Sequence, residues 1–235
     1  LVSHVTHASD TLNSSYVIRD TFDISNAQAQ SLIPSRNKIN NLLRLADTLT
    51  DHSLIESVTF YYDDRTYHKL EQFNTDTQKL FLPLSQVSSP WLKHFETTGA
   101  SQLFVPKVDL SEKEVTEHGP LAYIKPIFYR SYDGDPESIA AYSAIYFSED
   151  AFEEILKKDS TIKDEFSFLI NDDLDLIAAS DPSLFSNNLA IQALQSDPSA
   201  SGQFQLINYR EFSAYTACFP LKNTDWYMFS LIPRD

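Results

Sequence analysis

From residue 54 onward the sequence passes twice through one order of elements: strand, turn, short strand, small helices and then three antiparallel strands. That repetition limits the chain to a tandem of two like modules. The first pass opens on Ile55-Glu56-Ser57-Val58-Thr59-Phe60-Tyr61-Tyr62, β-branched and aromatic, closed by the turn-prone Asp63-Asp64. Helices are expected over 75–82 and from Pro90 to a stop at Gly99. Strands follow over 102–106, 121–131 and 139–147, the last two joined by the turn Tyr132-Asp133-Gly134-Asp135-Pro136 in an antiparallel meander. Ser148-Glu149-Asp150 opens a short amphipathic helix over 151–158, which ends the first module.

The second pass has strands over 166–170 and 174–179 around Asn171-Asp172-Asp173, then Asp181-Pro182 and a helix through 189–194. Strands over 202–209, 212–221 and 227–232 close it. In front of both modules, the first 51 residues contain no glycine, and their apolar positions Leu32, Ile33, Ile39, Leu42, Leu43, Leu45, Ala46 and Leu49 fall at helical spacing. A thinner stripe, Val5, Ala8, Leu12, Ser15 and Ile18, precedes it, so two helices or one kinked helix are expected, with Pro34 at the start of the second. The expected division is an N-terminal helical stalk over 1–53, a module over 54–160 and a smaller one over 161–235, an α+β fold.

Charge and composition exclude several function classes. Eighteen Lys and Arg against 33 Asp and Glu give a formal charge of -15, which repels a phosphate backbone or an anionic membrane surface, so no nucleic-acid partner is expected. With four glycines, at 99, 119, 134 and 202, there is no GxxxxGK or GxGxxG loop. No GxSxG elbow or HExxH occurs, and the single Cys218 sits in an apolar run without an adjacent base. The histidines, His4, His7, His52, His68, His94 and His118, are scattered, and Asp172-Asp173-Leu174-Asp175 lacks the spacing of a calcium loop. The sequence therefore supports no catalytic residue, metal site or cofactor, and this part of the protein is not expected to be an enzyme. No window approaches about 18 uncharged apolar residues. A start at Leu1 without a signal peptide reads as a piece excised from a longer protein, which leaves room for membrane spans just outside both ends.

The order of elements is the PAS-like plan, and three segments resemble the double Cache sensing domains of bacterial transmembrane receptors. The first is Ser88-Ser89-Pro90-Trp91, where that family commonly has a Trp entering a pocket-lining helix. The second is Tyr123-Ile124-Lys125-Pro126-Ile127 with Ser143-Ala144-Ile145-Tyr146-Phe147, similar to paired strands that usually end on a pocket-facing aspartate, where Tyr146 stands. The third is Phe166-Ser167-Phe168-Leu169-Ile170-Asn171-Asp172 with Phe219-Pro220-Leu221 and Asp225-Trp226-Tyr227-Met228, which look like the opening and closing strands of the membrane-proximal unit. The resemblance implies an extracytoplasmic domain between two transmembrane helices, a homodimer in the full-length receptor, and a small-molecule ligand in the membrane-distal first unit. The implied output is a sensor histidine kinase, with a transcription regulator or chemoreceptor as alternatives. One subgroup binds amino acids through an Arg two residues before the Trp, a Tyr after it and the strand-end aspartate. Here those places hold Ser89, Leu92 and Tyr146, so a free α-amino acid is not the expected ligand.

Strand alternation puts Tyr142, Ala144 and Tyr146 on one face, and Leu121, Tyr123, Lys125 and Ile127 on one face of the neighbouring strand. If both faces line one cavity, Trp91, Tyr123, Lys125, Tyr142 and Tyr146 are its ligand-binding residues. Aromatic walls and one Lys would suit a partly apolar or sugar-like ligand with an anionic group. Against this stands the reading of each tyrosine as a half-buried strand residue. The competing function is a protein-interaction or dimerisation module without a small-molecule ligand.

Overall fold

The computed structural model describes residues 2–14, 36–50, 54–74, 79–128, 139–158, 164–199, 201–209, 212–221 and 224–234. It divides into two compact units, Leu1–Ser148 and Glu149–Asp235. The first contains helices α1 (Val2–Ser14) and α2 (Arg36–Thr50), then β1 (Ile55–Tyr62), α3 (Asp64–Leu70), β2 (Phe81–Pro83) and α4 (Trp91–Thr98). It continues with β3 (Leu103–Val105), α5 (Glu112–Glu117), β4 (Leu121–Phe128) and β5 (Ile139–Phe147). The second contains α6 (Glu149–Lys158), β6 (Phe166–Ile170), β7 (Leu176–Ala179), α7 (Asn187–Ser196), β8 (Gln205–Tyr209), β9 (Phe212–Pro220) and β10 (Tyr227–Pro233).

Each unit is built on a five-stranded sheet, and the strand orders β2-β1-β5-β4-β3 and β7-β6-β10-β9-β8 are the same order written twice. Strands β3, β4 and β5 form the expected antiparallel meander. β1 lies antiparallel to β5 and parallel to β2. A parallel neighbour needs a crossover, and α3 supplies it. The Asp63-Asp64 pair that reads as a turn in fact starts that helix, with the Asp63 side chain accepting from the Thr66 N–H at 3.0 Å. The helix expected over 75–82 is corrected at its described end, where Phe81–Pro83 is strand β2. Residues 75–78 and the turn at 132–136 lie outside the described residues.

The separate stalk expected over 1–53 belongs instead to the first unit, where α2 packs on β1 and α1 on β4 and β5. Of the stripe the spacing marks out, Ile39, Leu42, Ala46 and Leu49 are buried and Leu43 and Leu45 half-buried, while Leu32, Ile33 and Pro34 lie outside the described residues. The boundary falls after Ser148 rather than after 160, because α6 packs on β7 and β6. In the second unit, Phe168 stacks on Phe229 at 4.9 Å within a core that includes Ile170, Ala193 and Cys218. Trp226 is buried and meets Phe152 of α6 at 6.0 Å, so it stabilises this unit.

Candidate functional site

One face of the first sheet concentrates chemistry. Cross-strand pairing sets Tyr61 opposite Tyr142, Thr59 opposite Ala144, Ala122 opposite Tyr146, and Ile124 opposite Ala144. These residues share an inner face, covered by α4 and the segment leading into α5. Pro90 precedes α4, and Gly99 in the left-handed region (φ 64°) ends it, its N–H donating to the Phe95 carbonyl at 3.0 Å. Trp91, only 1% exposed, then lies edge-on to Tyr61 at 5.4 Å and to Tyr142 at 5.5 Å, with Phe95 5.3 Å from Tyr142.

Beside these rings sits a carboxylate. Ser111 caps α5 in a capping box with Glu114, which is 6% exposed. Trp91 Nε1–H donates to Glu114 Oε1 at 3.0 Å, and Tyr146 OH reaches the same oxygen at 3.4 Å. Ser111 donates to Oε2 from its hydroxyl at 2.7 Å and from its N–H at 3.1 Å, and the Ser89 hydroxyl donates there too. The network continues through the paired hydroxyls of Tyr146 and Tyr61, 2.6 Å apart.

Burial alone would raise the Glu114 pKa, but the hydrogen bonds from Ser89, Trp91 and Ser111 outweigh it, and the carboxyl sits below its ordinary value. Burial holds the Tyr61 and Tyr146 hydroxyls well above theirs. His118, whose ring lies 5.0 Å from that of Tyr146, has its pKa lowered by burial despite the pull of Glu117 and Glu114. At neutral pH the cluster therefore holds one negative charge, with neutral phenols and a neutral imidazole around it. The Thr59 hydroxyl, fully buried at the centre of this face, has no hydrogen-bond partner among the described residues.

Of the five expected ligand-binding residues, the structure brings Trp91, Tyr142 and Tyr146 together and sets Tyr123 and Lys125 apart. Tyr123 pairs with Ile145 and Lys125 with Ser143, whereas Tyr142 and Tyr146 pair with Pro126 and Ala122. The two expected faces are therefore opposite faces of the sheet, since the register is offset by one residue from what a shared cavity needs. Tyr123 packs on Phe104 at 4.4 Å and donates to Gln102 Oε1 at 2.6 Å, and burial pushes its pKa up to about 12. Lys125 forms a 2.7 Å ion pair with Asp10 of α1. An anionic ligand group thus loses its expected anchor. Sequence reasoning missed Glu114 and Tyr61, although Ser111-Glu112-Lys113-Glu114 carries the capping-box spacing that would have found the first.

Elsewhere, an open depression of about 470 Å3 runs along α2, lined by Asn37, Asn40, Asn41, Leu43 and Arg44. Asn37, Asn40, Asn41 and Arg44 are all exposed there. Among the described residues no group of His, Cys, Asp or Glu is placed to hold a metal ion. No helix among them is long and apolar enough to cross a membrane.

Two sheets of repeated strand order, the first preceded by helices, define the tandem PAS-like architecture of the double Cache sensor domains. The solved structures with this fold include the extracellular domain of a protein described as a histidine kinase, rpHK1S-Z16, at 15% identity and TM-score 0.61, covering 100% of this chain and 89% of that one. The ligand-binding domain of the Pseudomonas fluorescens chemoreceptor CtaA, solved with L-leucine, matches at 14% identity and TM-score 0.56, covering 100% and 87%. The sensory domain of the Campylobacter jejuni chemoreceptor Tlp3, solved with isoleucine, matches at 16% and TM-score 0.54, covering 99% and 88%. At these identities the likeness is one of fold. No family model matches the chain, and no curated protein matches it.

Proposed function

We propose that this chain is the extracytoplasmic ligand-sensing domain of a bacterial transmembrane receptor. On this reading it binds a small molecule on the inner face of the first, membrane-distal unit and passes the signal out through its C-terminal strand. The observation that carries the reading is the likeness of the whole chain, both units in order, to extracellular and ligand-binding domains of receptors. The ring cluster around Trp91 supports the first unit as the binding unit, since it joins aromatic walls to a few convergent polar groups. A ligand with different affinity for two arrangements of the domain shifts their balance, which is all that signalling requires here. The parent receptor is proposed to be a homodimer with a histidine kinase output.

A thermal-shift screen of sugars, amines, organic acids and peptides tests this reading. A saturable rise in melting temperature that Trp91→Ala removes supports it, by ligand linkage. If nothing shifts and Trp91→Ala leaves signalling of the parent receptor intact, the sensor reading fails. One observation favours the second reading, an interaction module without a small ligand: Trp91 packs directly on Tyr61, Phe95 and Tyr142, and Phe95 on Tyr142. A screen without a hit, together with a concentration-dependent sedimentation profile, would favour it.

A further inference from the structure

The inner face of the first unit holds a buried negative charge that no Lys, Arg or His among the described residues answers. The groups donating to Glu114, from Ser89, Trp91, Ser111 and Tyr146, are all neutral. Among the described residues no Lys, Arg or His forms an ion pair with it. Lys113, one position away on α5, donates to Gln86 at 3.1 Å, and Lys79 pairs with Glu117 at 3.6 Å. Lys125, the base expected on this face, lies on the other one with Asp10.

A charge removed from water without a partner of opposite sign is held only by its hydrogen bonds, and it favours any cation that can approach and repels any anion. The surfaces around it have the same preference. The ring faces of Trp and Tyr attract cations, and Trp91 lies 5.4 Å from Tyr61 and 5.5 Å from Tyr142, centre to centre.

We propose that the ligand of this face is an organic cation, an amine or quaternary ammonium with an apolar body and no carboxylate, its charge turned to Glu114 and its body against Tyr61, Trp91 and Tyr142. This rests on the ligand-sensing reading above and narrows it to one class. Because the rings touch, the ligand enters by parting α4 from the sheet, and the Trp91–Glu114 hydrogen bond is the contact it exchanges. The charge thus comes from α5, not from the strand end where Tyr146 stands.

The test uses matched carbon skeletons on the whole chain. Isoamylamine, isoamyl alcohol and isovalerate form one set, phenethylamine, phenylethanol and phenylacetate a second, and choline is added as a quaternary probe. Thermal shift and calorimetric titration are read for each. At least one amine or choline is expected to bind saturably, with an amine at least about tenfold tighter than its alcohol and its acid weaker still. Glu114→Gln keeps the N3 partner of the capping box and is expected to remove that preference, weakening the cation about tenfold or more and the alcohol little. The rank order in the unsubstituted chain needs no variant, so a poorly folding Glu114→Gln leaves the test standing. An acid or alcohol that binds as tightly as its amine overturns the cation class, while the pocket survives if Trp91→Ala abolishes that binding. If no compound of any set binds, the cation proposal and the pocket fall together.

Discussion

Buried titratable side chains make the first unit sensitive to acid in two steps. The folded His118 pKa is lowered by burial, so below about pH 6.5, its ordinary value, the unfolded chain takes up a proton that the folded chain refuses. Its contribution is present above that pH and is lost as pH falls through the lowered folded value. Glu114 is also lowered, so its contribution is whole above about pH 4.3 and is lost as pH falls through its own folded value. Melting temperature followed from pH 8 to 3 on an approximate unit grid is expected to fall in both windows. His118→Gln should flatten the upper step only and Glu114→Gln the lower one only. A single step unaffected by either variant would mean that carboxylates elsewhere govern acid unfolding. At Cys218 burial, with Asp197 nearby, pushes the thiol up to about 12. The native chain is therefore expected to resist alkylation at neutral pH and to react only once unfolded, as mass spectrometry after timed labelling would read.

Among the elements, α5 shows how a short helix can carry a site. Ser111 both caps it and holds Glu114, so Ser111→Ala removes a cap and the hydroxyl donor to a buried carboxylate, while the Ser111 N–H donor stays. A loss of about 1–2 kcal/mol in denaturant unfolding is expected, the upper part of the range for an N-cap. In the second unit, Gly202 sits at φ +71° with its N–H bonded to the Cys218 carbonyl, and an added Cβ would lie 2.7 Å from the Phe219 ring. Gly202→Ala should cost roughly 1–3 kcal/mol from backbone strain and crowding together, read in the same unfolding curves.

The long elements were legible because their periodicity is strong. β1, β5, β6 and α4 fall where alternation, proline and glycine place them. The short ones were not. β2 has three residues, too few to show a period, and α3 hides behind an Asp pair that serves equally as turn or cap. The site was half legible for a related reason. Alternation groups the residues within one strand, but which face of the next strand joins them depends on register, and register moved Tyr123 and Lys125 to the far face. Tyr61 stands between two other aromatics, Phe60 and Tyr62, and only the alternation of strand faces separates it from them.

At the scale of the molecule, one topology serves two units whose helical coverings differ. The first sheet reaches its parallel edge strand through α3, whereas β6 and β7 form an antiparallel pair with a register shift between Leu169 and Ile170. The second unit has a core of its own, Phe168, Ile170, Ala193, Phe229 and Leu231 among its members, so it holds what an independent fold requires. Where that unit begins is then a physical question about α6. The repeat of strand patterns suggests a start near 161, after the helix, but α6 packs on β7 and β6, and its Phe152 meets the buried Trp226 at 6.0 Å. A fragment over 149–235 is expected to melt cooperatively, with dispersed amide resonances. The fragment over 161–235 exposes Trp226 and the face of β6 and β7 under α6, so it should melt broadly and bind a hydrophobic dye. Tryptophan emission gives an independent reading, because Trp226 is the only Trp in either fragment: it should be blue-shifted in the longer and red-shifted in the shorter. Equal cooperativity in the two fragments would return α6 to the first unit and restore the boundary that the repeat alone suggests.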